Sequence, residues 1–199
     1  MPAVAIQGPK GVGKTRTASQ LAATSFELDD PAVLQVVAAD PTRLTTSPAP
    51  VLIDEWQRWP VSWDIVRRAV DTDSSPGRFL LAGSASPESP PTHSGAARIV
   101  DLRMRPATLA ERGIVSSVSL AALLAGSRPA ISGATTMALE EYVEQIICSG
   151  LPAVLGRTHE ARQALLDAYV DRIVDRDFPE AGLQVRNPAG RPRRAGRCR

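Results

Sequence analysis

The residues Gly8-Pro9-Lys10-Gly11-Val12-Gly13-Lys14-Thr15 carry the most legible chemistry in this chain. They match the spacing G-x-x-x-x-G-K-[ST] in full. Glycine lacks a Cβ, so the loop can fold tightly and turn its amide groups inward on a phosphate. A helix that starts at the loop's end adds its positive terminus at the same place. Lys14 can reach β- and γ-phosphates, and the Thr15 hydroxyl can ligate magnesium. The pattern points to a nucleoside triphosphate held with Mg2+. ATP is the nucleotide we expect, although no residue pattern reads the base. The candidate binding set is Gly8, Pro9, Lys10, Gly11, Val12, Gly13, Lys14, Thr15 and Arg16. The competing account is an accidental glycine-rich turn between a strand and a helix. We prefer binding, because an apolar run (residues 3–6) precedes the loop and a helical pattern follows it.

Val51-Leu52-Ile53-Asp54-Glu55 is the second signal. An apolar strand ending in two carboxylates lets Asp54 hold magnesium, directly or through water. Glu55 can then orient and deprotonate an attacking water. Strands often end in solvated acidic residues, so the motif is weak alone. It gains force by following the phosphate loop with a helix and a strand between. Gly83-Ser84 ends another apolar run. Ligands of parallel sheets sit beyond the carboxyl ends of the strands. Ser84 is therefore either a contact to the γ-phosphate or lytic water, or part of a plain strand-to-loop turn; both readings stand.

These residues need a scaffold. Apolar runs at 3–6, 51–53 and 79–82 read as strands buried on both faces, and 25–28 as a further strand. Val100, Leu102 and Met104 alternate with polar residues, which suits an edge strand. Helices are expected from about Lys14 to Thr24, from Pro31 to about Ala39 and from Pro60 to Asp73. Strands alternating with helices predict an α/β domain with a mainly parallel sheet. Beyond Pro106 the character changes. Leu139, Tyr142, Val143, Ile146 and Ile147 mark one amphipathic helix; Leu166, Tyr169, Val170, Ile173 and Val174 mark another. We divide the chain into a core (1–115), a linker with a short helix (116–136), a smaller α-helical region (137–185) and a basic tail (186–199) expected to be disordered.

Composition bounds the remaining choices. The chain has 199 residues, 43% of them hydrophobic, enough to bury a core. No apolar run is long enough to span a membrane, and the N-terminus does not resemble a signal peptide. A cytoplasmic location is the default expectation. Cys148 and Cys198 suggest no disulfide framework, and His93 and His159 are isolated. The net charge of +2 comes from Arg186, Arg191, Arg193, Arg194, Arg197 and Arg199; the rest of the chain is slightly acidic. Nucleic acid is thus only weakly indicated as a partner.

The chain resembles prokaryotic AAA-type P-loop ATPases that carry a further C-terminal domain of unassigned function. The resemblance rests on GPKGVGKT (8–15), VLIDEWQRWP (51–60), RFLLAGSASP (78–87) and SGAARIVDLRMRPATLAERG (94–113). The segment around Ser149-Gly150-Leu151-Pro152 and YVDRIVDRDFPEAG (169–182) extend it. It implies an AAA-type parallel sheet flanked by helices, an ATP-binding core, ATP hydrolysis and a helical region leading to the C-terminal domain. A second copy of the chain or another protein is the partner such a molecule would act with. The chain starts directly on its first strand, where relatives have a short leader. Residues 187–199 depart from the family, and we expect a frameshift or early stop there, with a genuine basic tail as the alternative. Sequencing the adjacent DNA separates the two.

In such proteins the position of Arg98 often supplies an arginine finger to a neighbouring subunit, since a planar guanidinium suits the transferring phosphoryl group. The plainer reading, which we prefer, is a loop cap or an ion pair with Asp101 or Glu111. Arg103 and Arg105 rank behind it. Trp56, Trp59 and Trp63 could stack on bases, but their near-helical spacing favours packing against the sheet. Asp171, Arg172, Asp175, Arg176 and Asp177 read as a solvated helix face. The leading expectation is an AAA-type ATPase with Glu55, Lys14, Ser84 and Arg98 as catalytic candidates and Thr15 and Asp54 on the metal. A nucleotide-binding module without turnover and a small-molecule kinase are the alternatives.

Overall fold

The computed structural model describes residues 1–83, 94–115, 117–130, 136–180 and 182. Two compact units result, Met1–Gly156 and Arg157–Arg199. The first contains five parallel strands: β1 (Ala3–Gln7), β2 (Thr24–Glu27), β3 (Val51–Asp54), β4 (Phe79–Gly83) and β5 (Ile99–Arg103). Their order across the sheet is β2-β3-β4-β1-β5. The expected α/β class with a parallel sheet is what the chain adopts.

Side-chain alternation explains how the two sheet faces are covered. Successive strand residues point to opposite faces. Ala3, Ala5, Val51, Ile53, Phe79 and Leu81 face one way and join the main core. Helices α2 (Pro31–Ala39), α3 (Arg43–Thr46) and α4 (Val61–Thr72) bring Val37, Leu44, Trp63, Val66 and Val70 to that face. Ile6, Leu52 and Ala82 face the other way and pack with Ala18 of α1 (Lys14–Ser19). Burial on both faces is why β1, β3 and β4 are apolar almost throughout. Among the described residues, strand β5 pairs only with β1. Its Ile99 is buried, whereas Val100 and Leu102 are exposed, as an edge position allows.

Several boundaries differ from expectation for identifiable reasons. Helix α1 stops at Ser19 rather than near Thr24. The amides of Ala23 and Thr24 instead donate to the Pro50 carbonyl, which draws the chain into β2. Helix α2 starts as expected, with Asp30 capping the Ala32 amide and Pro31 at its first position. Trp56, Gln57 and Arg58 form a short 3-10 turn ahead of α4, which starts and ends within a residue of the expected bounds. The Trp56 and Trp63 rings lie 4.7 Å apart within the main core, which accounts for both as packing residues.

After β5 come α5 (Leu120–Leu124) and α6 (Leu139–Ile147). The amphipathic face expected of α6 is present, and Leu139, Tyr142, Val143, Ile146 and Ile147 are all exposed on it. The second unit contains α7 (His159–Arg172), a π-helical turn (Ile173–Asp177) and α8 (Phe178–Glu180). Asp171, Arg172, Asp175 and Arg176 include solvated charges, as the mixed pattern suggested. Among the described residues, no helix is long and apolar enough to cross a membrane.

Candidate functional site

All strands run the same way, so their carboxyl ends share one edge of the sheet. Gln7 pairs with Gly83, and Asp54 pairs with Ala82. The glycine-rich loop leaves β1 at this edge, and the acidic pair ends β3 beside it. Sheet register thus brings together residues that lie far apart in the chain.

Three loop glycines have geometry that favours glycine over other residues. Gly11 and Gly13 have φ of 74° and 97°, in the left-handed region that favours glycine. At Gly8 the constraint is space, because a Cβ there would lie 2.3 Å from the Met104 carbonyl oxygen. That oxygen is fixed: the Met104 amide donates to Gln7 O at 2.7 Å and extends the β1–β5 ladder by one residue. Gly8→Ala should therefore lose about 3 kcal/mol of stability, read by urea denaturation, and weaken ATP binding. Wild-type stability with unaltered binding would contradict this account of the loop.

Lys14 also has an unusual setting. Its side chain is buried, and its Nζ donates to the carbonyls of Gly8 and Pro9, both at 2.9 Å. Burial lowers its pKa, while Glu55 and Asp54 pull in the opposite direction. The side chain is thus curled across the loop it belongs to. Val12 is buried beneath the loop; Thr15 and Arg16 are exposed on the first turn of α1.

Asp54 ends β3 and is also buried. Thr15 Oγ1 donates to its Oδ2 at 2.8 Å. Burial raises the Asp54 pKa, only partly offset by the Thr15 hydrogen bond. A buried carboxylate next to a hydroxyl is a pair of hard oxygen donors. Mg2+ is typically held by one or two carboxylates together with phosphate and water oxygens, so the donor set fits it. Among the described residues no group of three or more His, Cys, Asp or Glu side chains could hold a metal, and this pair needs none.

Glu55 follows with φ 50° and ψ 41°, a left-handed conformation in a residue with a Cβ. Such a backbone costs about 1–2 kcal/mol, and strain of this kind gathers at functional sites. The Glu55 carboxylate accepts a hydrogen bond from Gln57 Nε2. Loop, lysine, threonine and acidic pair form one cluster at the carboxyl edge.

A family model described as "AAA domain" matches residues 1–112. The chain belongs to that AAA family. Its nucleotide-binding character and P-loop fold follow from this membership. Among curated proteins, the chain is 29% identical over 203 residues to an uncharacterized protein of Mycobacterium bovis. It is equally similar to one of Mycobacterium tuberculosis. Each match covers 98% of this chain but 40% of the relative, so the chain spans less than half the length of either.

Not every sequence candidate joins this cluster. Ser84 lies outside the described residues. Arg98 stands at the amino end of β5, on the sheet edge opposite the loop, since Ile99 pairs with Ala3. It does not pair with Asp101 or Glu111. Its guanidinium binds Asp71 of α4 and donates to the Ala96 carbonyl at 3.3 Å. Asp101 instead accepts from Gln7 Nε2 at 2.9 Å, and Glu111 accepts from the Thr108 amide at 2.8 Å. The reason is tertiary: the end of α4 brings Asp71 to the start of β5.

Three residues near the cluster escaped the sequence reading. Met104 walls Gly8 and approaches Gly13. Pro152 lies beside Gly13, 3.7 Å from where a Cβ would stand. The Ala107 amide donates to Gly150 O at 2.8 Å, which seats that distant segment. Gln57 is the third, and only its spacing from Glu55 could have signalled it.

Proposed function

We propose that this chain is a Mg-dependent ATPase of the AAA type that works as a switch or motor on a protein partner. The observation that carries the reading is the 2.8 Å hydrogen bond from Thr15 to Asp54, which joins the phosphate loop to the acidic strand end. Loop amides and Lys14 would hold the β- and γ-phosphates. Thr15 and Asp54 would hold Mg2+, which neutralises charge on the phosphate oxygens during transfer. Glu55 would accept a proton from water as it attacks the γ-phosphorus. The bond to the β-phosphate oxygen breaks, giving ADP and inorganic phosphate. The exposed apolar residues of α6 favour association, with a second copy or another protein.

The test is ATP binding and phosphate release by the purified chain, with and without Mg2+. Binding without release would leave a nucleotide-binding module; absence of binding would end the proposal.

Asp54 offers a check that needs no turnover. A carboxylate whose pKa is raised by folding takes up protons more readily in the folded state. Stability therefore falls as pH rises from the ordinary value of 3.8 through the raised one, and the penalty is complete above it. Asp54→Asn removes that penalty. The nucleotide-free variant should unfold at a higher temperature than wild type at neutral pH. The gain should vanish near pH 4 or below. Magnesium should no longer strengthen ATP binding. A variant less stable than wild type at pH 7, in thermal scans across pH, would count against a charge buried for a metal.

A further inference from the structure

We infer that Gln57 is a positioning residue that aims the Glu55 carboxylate at the attacking water. The inference rests on the hydrolytic reading of Glu55 and assigns that site a further working part.

A glutamate at a strand end has several free torsions, and a general base works only when held within reach of its proton. Here Glu55 is fixed at both levels. Its backbone is locked in the left-handed region, at the junction of β3 and the 3-10 turn. Its carboxylate accepts from Gln57 Nε2. The orientation of the Gln57 amide is dictated by its partner. A carboxylate only accepts, so the amide nitrogen must face it and the amide oxygen must face away.

The far side of the amide is unusual. Gln57 Oε1 is buried and has no hydrogen-bond partner among the described residues. It lies against Gly83, at the carboxyl end of β4, 2.5 Å from where a Cβ would stand there. Trp56 Nε1 crowds the same point at 2.9 Å. Trp56 in turn packs against Trp63 in the core, with the rings tilted by 38°. The absence of a side chain at Gly83 is what makes room for the amide. Gln57 is thus a bracket between the end of β4 and the Glu55 carboxylate that follows β3. A buried polar atom left unpaired is costly, and such exceptions call for a reason. Turning the nitrogen to Glu55 supplies one.

The alternative is that Gln57 only fills space over Gly83. Gln57→Met separates the two, because it keeps nearly the same length and bulk without the N–H donor. The measurements are ATP affinity with Mg2+ and the single-turnover rate. They are made on wild type, Gln57→Met, Glu55→Gln and the double variant, with thermal unfolding as the control for folding.

The expected result is an affinity changed by less than about twofold and a rate lowered by about 10- to 100-fold in Gln57→Met. In the Glu55→Gln background the same change should alter the rate by less than about twofold, since groups acting as a unit are not additive. Gln57→Met at the wild-type rate would overturn the inference. So would rate losses that multiply in the double variant, or a loss explained by affinity or unfolding. A wild-type chain that binds ATP without hydrolysing it would instead sink the hydrolytic reading, and the role of Gln57 with it.

Discussion

Lys14→Ala is expected to lower ATP affinity by about 100-fold or more while leaving the fold in place. The estimate follows from the bonds that are lost. A hydrogen bond to a charged group contributes about 1.5–3 kcal/mol, and each 1.4 kcal/mol is about tenfold in affinity. A lysine that bonds two phosphates therefore accounts for at least two decades. Stability should move little, because two effects oppose each other. Truncation removes the ammonium's hydrogen bonds to the carbonyls of Gly8 and Pro9. It also ends the burial of a cation, whose cost is visible in the lowered Lys14 pKa. The rival account makes Lys14 a brace for its own loop and nothing more. That account predicts a falling melting temperature with affinity lost only in proportion to unfolding. Calorimetric titration at a temperature well below the transition discriminates between them. Near-normal affinity in a folded variant would remove Lys14 from the phosphate site.

Much of the scaffold could be read because its physics is local. The runs that became β1, β3 and β4 are apolar on both faces, and the two sheet faces are both covered in the fold. Asp30 and Pro31 announce α2 through a cap and a fixed φ, which need no tertiary partner. The loop glycines were legible for the same reason, since tolerance of the positive φ found at Gly11 and Gly13 is a property of glycine itself. Helix α3 was missed because Arg43-Leu44-Thr45-Thr46 has no strong helix signal and is one turn long. Its placement comes from Leu44, which is fully buried in the main core.

Around the site, the limit is set by contacts between distant segments. Nothing local tells that Met104 walls Gly8, that Pro152 lies beside Gly13, or that Arg98 meets Asp71. Thr15 and Asp54 are different: each was assigned to magnesium from its own motif, and the register of β1, β4 and β3 sets them side by side. Gln57 falls between these cases. Its closeness to Glu55 is plain in the sequence, but its aim depends on Gly83, a residue on another strand.

Glu55→Gln should bind ATP with affinity within about twofold of wild type and hydrolyse it roughly 100- to 10,000-fold more slowly, the range that general acid–base groups contribute. The substitution is chosen because it changes so little else. Glutamine has the size of glutamate, and its amide oxygen can still accept from Gln57 Nε2. The left-handed backbone at this position belongs to the junction after β3, and an amide does not alter it. Only the capacity to take a proton is removed. Lower turnover at unchanged affinity marks an interaction used in the transition state rather than in binding. The measurement is a single-turnover assay with enzyme in excess over ATP, so that product release does not mask the chemical step. An unchanged rate would take Glu55 out of the mechanism. Slow turnover with equally weakened binding would instead make it a ligand of the bound nucleotide–metal pair, a role the buried Asp54 is better placed to fill.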